Sequence, residues 1–351
     1  MKKMQLTYVF FLLLWTLVLQ AQDPHFSQIT ASPLNINPAF TGLIDGQYRV
    51  NAIYRDQWST IGAKYRTASV AADFRYHLTG NDFYAFGVKF LSDQAGDGIF
   101  KQNYAHVSVA YLKKLFGDRR GYSQYISGAV QAGLGQHSLD WSKLWFGNQY
   151  DLSNFNVNMT LPTGESEILT NSGQVDLFLD INAGLVWYTV FDESTSVYLG
   201  VSMSHLNKPR ISLFSDGLAN LNNKYNIHAG GEFPLNRSLS ILPAVRWLNQ
   251  SPHQQFVIGS SFRYNQLGDA DVSLRFGLYT RITEEFNDGL HNDAFILNVA
   301  YEFSDFIVGL SYDLTTSSLA TANDRQGAFE LSGSYVFPYT NRKQKISCPK
   351  L

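Results

Sequence analysis

The stretch AFILNVAYEFSDFIVGLSYD, residues 294–313, decides the fold because it alternates with a period of two on both sides of a short turn at Ser304-Asp305. Residues between the apolar ones are small, polar or charged. A two-residue period around a tight turn predicts a β-hairpin with one apolar face. Whether that face meets a protein core or lipid decides the class of protein. The apolar set is Phe295, Leu297, Val299, Tyr301, Phe303, Phe306, Val308, Leu310 and Tyr312.

The composition is poor in charge and rich in aromatic rings. Charged residues make up 16% of the 351 residues and aromatic residues 15%, whereas about 25% charged residues is usual for soluble domains. The net charge of -2 provides no basic footprint for nucleic acid. The single Cys348 cannot form an internal disulfide or a zinc cluster. We therefore expect no nucleic-acid partner, no metal site and no cofactor.

The N-terminus predicts export. Residues 1–21 combine Lys2 and Lys3, an apolar run over 8–19 and a small residue at Ala21, the pattern of a secretory signal peptide. No later run reaches the roughly 20 apolar residues of a spanning helix, which excludes a helical membrane protein. Residues 22–46 follow, with prolines at three positions that disfavour regular structure. We interpret 22–46 as an extended, docked N-terminal periplasmic segment.

Residues 47–337 alternate almost throughout and predict about fourteen strands. Runs of roughly 10 residues suit tilted strands that cross a bilayer. Every second connection is short and the others are longer, which is typical of an outer-membrane barrel. The sequence thus predicts an all-β, antiparallel transmembrane β-barrel of about 14 strands, in preference to a soluble sandwich or propeller. With the longer loops outside, an even strand count would put both termini in the periplasm. The runs lie near 47–55, 65–78, 83–92, 102–113, 123–135, 176–190, 195–205, 225–235, 238–248, 254–264, 270–282, 293–303, 305–314 and 327–337.

Residues with reactive side chains do not form a recognisable catalytic site. No His pair has metal-ligand spacing. Ser202 and His205 are close in sequence, but a hydrolase also needs an orienting acid and an oxyanion hole, and neither can be identified. We therefore predict that the protein is not an enzyme.

Two features leave alternatives open. Polar-face cations either line an aqueous pore or pair with carboxylates in a plugged lumen. Residues 136–175 carry aromatic rings that either plug the barrel or dock a partner, or else fold over their own barrel. The cations are Arg49, Arg75, Lys89, Arg246, Arg263 and Arg275, the carboxylates Asp73, Glu232, Glu302 and Glu330, and the rings Trp141, Trp145, Phe146 and Tyr150.

Six short motifs, taken together and in their order along the chain, resemble the PorP/SprF family of outer-membrane proteins. That family is associated with type IX secretion and gliding motility. The resemblance covers nearly the whole chain after residue 21. The final hairpin is matched by Tyr312-Asp313 followed by GAFELS. The motifs are QDPHFSQ at 22–28, NPAFTG at 37–42, YRDQW at 54–58, SHLNKP at 204–209, GAFELS at 327–332 and Cys348-Pro349.

This resemblance implies a non-enzymatic barrel in the cell outer membrane that supports secretion and the anchoring or display of a large surface adhesin. Its partners would be lipid, the adhesin and other secretion or motility components. A porin-like channel for small solutes is the alternative. Residues 338–351 form a basic C-terminal tail. The proposed docking or family-motif positions are Asp23, Pro24, Phe26, Ser27, Gln28, Asn37, Pro38, Phe40, Gly42, Tyr54, Arg55, Gln57, Trp58, His205, Pro209 and Glu330.

Overall fold

The computed structural model describes residues 23–338, apart from 59–63, 78–81, 97–98, 118–121, 152–153, 159, 161–172, 193, 214–218, 266–271, 286–288 and 322–323. The predicted signal peptide and nearly all of the C-terminal tail lie outside the described residues. The strands are β1 Tyr48–Gln57, β2 Tyr65–His77, β3 Phe83–Ala95, β4 Phe100–Gly117, β5 Ser123–Leu139, β6 Tyr150–Asp151, β7 Asn156–Val157, β8 Phe178–Val190, β9 Ser196–Ser204, β10 Lys224–Pro234, β11 Leu239–Gln250, β12 His253–Asn265, β13 Val272–Glu285, β14 Gly289–Phe303, β15 Phe306–Thr315 and β16 Gln326–Phe337.

Fourteen of these strands form a closed antiparallel barrel, and β6 and β7 make a separate small hairpin. Neighbours in sequence pair with each other, and β1 closes the barrel on β16, from Tyr48 opposite Phe337 to Gln57 opposite Ala328. Closure leaves no sheet edge unpaired, as a strand in hydrocarbon requires. The predicted fold class and strand number are therefore confirmed. No helix among the described residues is long and apolar enough to cross a membrane.

The alternation in 294–313 separates the two faces of the wall as predicted. Leu297 and Val308 are 46% and 49% exposed on the outside, whereas Ile296 and Asp313 are fully buried on the inside. The same division runs through the other strands, for example β1, where Val50 points outward and Arg49 inward. The outer face is thus a continuous apolar surface suited to lipid. The inner face carries the charges.

The two ends of the barrel differ in their connections. We call the end with the 140–177 and 205–223 connections the loop end, and the opposite end, which includes the Ser304-Asp305 turn, the turn end. The prediction that every connection at the loop end is longer is wrong. Strands β11 and β12 extend until only Ser251 and Pro252 join them, and β3 and β4 are joined by residues 96–99. The alternation of apolar and polar residues weakens near these strand ends, so the predicted strands stop short of them. The backbone hydrogen bonds nevertheless continue to the last residues of the strands.

Residues 23–46 fill the barrel and are called the lumen segment below. They hydrogen-bond to inward-facing groups of β1, β2, β4, β5, β8, β9, β10, β11, β13, β15 and β16. A segment can reach strands all round a closed barrel only from inside it. The prolines of 22–46 predict an extended, docked periplasmic segment. In the structure this segment contains a short helix, α1 (Pro33–Ile36), and a 3-10 turn at Pro38–Phe40.

The lumen segment runs from one end of the barrel to the other. Asp23 contacts Gln250 and Lys224, both at the loop end, whereas Gln47 bonds to Phe337 at the turn end. The even strand count places the start of β1 and the end of β16 together, as expected. Because the lumen segment crosses the barrel before β1 begins, Asp23 and Pro338 lie at opposite ends. The placement of both termini in one compartment therefore does not follow from the strand count.

Candidate functional site

The N-terminal half of the lumen segment is held by a buried charge cluster. The backbone N–H groups of Ser27 and Gln28 donate to the two carboxylate oxygens of Glu330, at 2.6 and 2.9 Å. The Arg55 guanidinium lies 2.5 Å from Glu330 Oε1 and 3.1 Å from Asp313 Oδ2. Arg281 binds the same Asp313 at 2.8 Å. Two cations and two anions thus surround one serine, with Ser27 Oγ donating to Asp313 at 2.7 Å.

A second cluster holds the start of the lumen segment at the loop end. His205 lies between two carboxylates: its Nε2 is 2.7 Å from Asp23 Oδ2 and its Nδ1 is 2.7 Å from Asp180 Oδ1. Lys224 Nζ adds a 2.6 Å contact to Asp23. His205 has a φ of +59°, which is unfavourable for a side chain with a Cβ. The surrounding bonds hold that conformation.

These contacts set the charge states of the groups just outside the strands. Burial lowers the pKa of His205, but the carboxylates of Asp23 and Asp180 outweigh burial and raise the pKa to about 9. Burial raises the pKa of Asp23, and the cations His205 and Lys224 more than compensate, so that the pKa stays well below its usual value. At neutral pH, His205 is therefore an imidazolium clamped by two anions.

The middle of the lumen segment is fixed to the backbone of the wall through Asn37. Its Nδ2 donates to the carbonyl oxygens of Leu185 and Val201, at 3.1 and 3.0 Å, and its Oδ1 accepts from Ala39 N at 2.9 Å. The last bond caps the 3-10 turn, the role that Asn takes at helix starts. A Cβ on Gly184 would overlap Asn37 Oδ1, so this wall position needs glycine.

Toward the turn end the packing becomes apolar. Phe40 is 2% exposed and lies 4.9 Å from the His228 ring and 5.9 Å from the Tyr198 ring, centroid to centroid. Gly42 follows with φ +74° and donates its N–H to Asp73 Oδ2 at 2.7 Å. The Asp73 carboxylate in turn accepts hydrogen bonds from both Nε and Nη2 of Arg49, each at 2.9 Å. The lumen segment is therefore anchored along its whole length.

The remaining predicted positions do not form one site. Pro24 is half-buried in the lumen, while Phe26 and Pro38 are buried there. Tyr54 faces outward and is 39% exposed. The other three are wall or loop positions: Gln57 accepts from Arg55 at 3.1 Å, Trp58 N–H donates to Gly327 O at 2.9 Å, and the Pro209 carbonyl accepts from Leu221 N at 2.9 Å.

Most inward-facing arginines of the barrel pair with carboxylates. Arg263 pairs with Glu232 and Glu302, at 3.2 and 2.7 Å, and Arg275 also contacts Glu302. The plugged, ion-paired interpretation therefore describes the lumen better than an aqueous pore. The aromatic rings of the 136–175 segment do not fill the lumen, because Trp145 and Tyr150 are 56% and 36% exposed and residues 23–46 occupy the interior.

Ser202 and His205 do not act on each other. The Ser202 hydroxyl donates to the Ile36 carbonyl at 2.7 Å, and both ring nitrogens of His205 are occupied by carboxylates. Within the described ranges, no group of three or more His, Cys, Asp or Glu could hold a metal ion. Ser202, through the Ile36 carbonyl, and His205, through Asp23, instead hold the lumen segment in place.

Sequence reasoning did not single out Asp180, Lys224, Gln250 or Arg281 as site residues. All four are buried or nearly so and contact the lumen segment or its partners. Each is a polar residue at or near the loop-end terminus of a strand. A polar residue at the end of a strand was therefore the only sequence signal for these four positions. Their contact partners are distant in sequence and come close only when the barrel closes.

A closed, lipid-compatible barrel with a polar, plugged lumen defines an outer-membrane β-barrel protein. The family model for "Type IX secretion system membrane protein PorP/SprF" matches residues 18–335. The chain therefore belongs to the PorP/SprF family, which is a family of secretion-system membrane proteins and not of enzymes.

Similar solved structures include a TodX monoaromatic hydrocarbon channel mutant, with 12% identity, a TM-score of 0.47, and coverage of 88% of this chain and 94% of that one. The Ralstonia pickettii toluene transporter TbuX gives 12% identity, a TM-score of 0.46 and the same coverage. No curated protein gives a significant match. These similarities concern the barrel fold alone.

Proposed function

We propose that this protein is a non-enzymatic, plugged outer-membrane barrel that supports type IX secretion by anchoring or displaying a large cell-surface adhesin, in gliding motility or a related machinery. Its mechanism is binding. Membership in the PorP/SprF family supports the link to secretion. We further propose that residues 1–21 are removed as a signal peptide and that the loop end faces outward.

The lumen segment is the observation that carries this proposal. The Asp23–His205 ion pair, the bonds from Ser27 N–H and Gln28 N–H to Glu330, the Asn37 bonds and the packed Phe40 hold it along the whole barrel. Breaking buried ion pairs of this kind costs several kcal/mol each. A passive pore needs a vacant lumen, whereas an anchor needs a rigid barrel. The arrangement suits the second requirement.

The loop end offers surface for a partner. Phe155 is 80% exposed in the β6–β7 hairpin, and Trp145 is 56% exposed beside it. Aromatic side chains in such positions often dominate binding at protein interfaces. We propose that these rings belong to the surface on which the adhesin docks.

A deletion strain tests the proposal. Loss of this protein should abolish surface display of one co-encoded adhesin while secretion of other substrates continues. Complementation with the wild-type chain should restore display, and a Trp145→Ser, Phe155→Ser double variant that still inserts should restore it poorly. A Tyr301→Ser variant, which alters an outward-facing ring of β14 that is 49% exposed, provides the matched control. Unchanged display in the deletion strain would refute the proposal.

Electrical recording distinguishes the plugged anchor from a channel for small solutes. The purified barrel, reconstituted in a planar bilayer, should stay silent because the lumen segment fills its interior. Reproducible open conductance of the wild-type protein would favour solute transport and would count against the anchor.

A further inference from the structure

One buried arginine of the lumen lacks the partner that its neighbours have. Arg49, Arg55, Arg263, Arg275 and Arg281 each contact a carboxylate. Arg246 on β11 is 3% exposed, yet no carboxylate lies within ion-pair distance among the described residues, and its Nε and Nη2 have no hydrogen-bond partner there. An unpaired buried guanidinium is strongly disfavoured. A group from outside the chain would remove that cost.

The two free nitrogens define the geometry of the missing partner. Nε and Nη2 form one edge of the guanidinium plane, and this edge accepts a carboxylate through two parallel bonds. Arg49 uses the same two atoms to hold Asp73, with both distances at 2.9 Å. Arg246 therefore presents an unoccupied carboxylate fork.

Arg246 also lines a cavity. It has a volume of about 340 Å³, part of it open to solvent, and lies between the lumen segment and strands β10 and β11. Arg246, Lys224 and His25 line it, and no Asp or Glu does. Gln28 adds a further donor, because its Oε1 accepts from Ser332 at 2.7 Å and its Nε2 is buried without a partner. Two of its lining residues, Arg246 and Gln28, thus carry three unsatisfied N–H-bearing atoms, and Arg246 and Lys224 supply positive charge.

The nearby carboxylates are already occupied. Glu330 binds Arg55 and the backbone of Ser27 and Gln28, and Asp23 binds His205 and Lys224. Neither can serve Arg246 without releasing those groups. The same cavity holds two unsatisfied acceptors, Asn35 Oδ1 and Asn226 Oδ1, which can take hydrogen bonds from water that enters with an anion.

We propose that this cavity is a binding site for a small monocarboxylate of formate or acetate size, held by the Nε/Nη2 edge of Arg246 and by Gln28 Nε2. The carboxylate bridges the wall to the lumen segment, since Arg246 belongs to β11 and Gln28 to the segment. Binding therefore stabilises the plugged state by a free energy that increases with the logarithm of the ligand concentration once the site is mostly filled. The site does not depend on the identity of any secretion partner.

Equilibrium dialysis of the detergent-purified full chain against radiolabelled formate, in a buffer free of other carboxylates, tests the site. The wild type should bind one equivalent saturably. Arg246→Lys, which keeps the charge and loses the fork, should bind at least tenfold more weakly, and Gln28→Leu should be intermediate. Arg66→Lys is the control, because Arg66 is an exposed arginine that already pairs with Asp56. Each variant is first checked for the heat-dependent gel mobility of a folded barrel.

Hydrogen exchange gives a second readout. Formate should increase the protection of amides in residues 24–36 in the wild type and leave the Arg246→Lys variant unchanged. Absence of saturable binding to the wild type would overturn the proposal, as would equal binding by Arg246→Lys. Displacement of formate by an equal concentration of chloride would also overturn it, because a spherical anion gains nothing from the planar fork.

Discussion

Asp23 Oδ2 lies 2.7 Å from His205 Nε2, although 182 residues separate them in the chain. The contact joins the first described residue to the end of β9, at the loop end of the barrel. His205 is simultaneously bound to Asp180 through its other nitrogen. One imidazolium thus ties the lumen segment to the wall, and the strength of that link depends on its proton.

Stability should fall as the pH rises through the range in which His205 loses its proton. The pKa of His205 is raised from 6.5 to about 9, so the folded state binds this proton more tightly than the unfolded state does. The contribution is fully present below about pH 6.5 and is lost as the pH rises through about 9; a shift of this size corresponds to about 3 kcal/mol at most. Urea unfolding followed by heat-dependent gel mobility, at pH 6 to 9.5, measures it.

The His205→Asn variant provides the comparison for this titration. It cannot carry the charge, so its urea midpoint should start lower at pH 6 and approach that of the wild type near pH 9.5. A constant difference between the two proteins across the range would show that the proton on His205 does not hold the lumen segment.

The sequence predicted the wall because its signal is local. In 294–313 the residues two positions before and after each side chain have the same polarity, and this indicates which face of the sheet the side chain occupies. Val299 pairs with Leu310, as the predicted hairpin requires. Strand ends were less accurate, since β11 reaches Gln250 and β12 begins at His253, beyond the alternating core of each strand.

The plug was not predictable by the same means. Ser27 meets Glu330 across 303 residues and Asn37 meets Val201 across 164, and nothing in the local pattern of 22–46 specifies these partners. Its prolines indicated irregular backbone and no more. The family motifs did include Ser27, Arg55 and Glu330, but their convergence in one charge cluster required the closed barrel.

Replacing Glu330 should show how strongly the charged residues around Ser27 depend on one another for stability. Glu330→Gln removes the anion that faces Arg55 at 2.5 Å and weakens acceptance from two backbone N–H groups. Breaking one partner of a buried pair costs about 3–5 kcal/mol. The urea midpoint should fall accordingly, whereas Glu284→Gln, at an exposed position of β13, should change it little. Adding Arg55→Met to Glu330→Gln should cost less than the sum of the two single effects; simple additivity would contradict the cluster.

Gly42→Ala should destabilise the turn end of the lumen segment. A Cβ at this position meets Ala85 Cβ, and the φ of +74° is unfavourable for alanine by about 1–2 kcal/mol before the collision is counted. Gly147→Ala is the matched control, because nothing lies within 4 Å of a Cβ there. Hydrogen exchange should increase around residues 40–46 in the first variant only, and equal protection in both variants would contradict the packing described.

Val299→Arg should reveal lipid on the outer face. Val299 is 40% exposed on β14, and an arginine near the bilayer midplane of a barrel costs about 2–4 kcal/mol, falling to about 0–1 near the interface. Leu235→Arg introduces the same charge at a residue that is 56% exposed in the β10–β11 connection, so its effect in lipid vesicles should be small. Equal costs in vesicles would argue against a membrane-embedded outer face at Val299.

The path of the lumen segment predicts that the two described ends of the chain face different compartments. An epitope inserted directly before Asp23 should be accessible to antibody on intact cells if the loop end is outside, and an epitope after Pro338 should need permeabilised cells. Cysteine variants in a Cys348→Ser background calibrate the assay: Phe155→Cys lies in the loop-end hairpin, and Asn236→Cys in a turn-end connection. A membrane-impermeant maleimide should label only the first on intact cells. If both epitopes behaved like Asn236→Cys, the lumen segment would not cross the barrel, and the Asp23–His205 contact could not form, because His205 directly follows the loop-end terminus of β9.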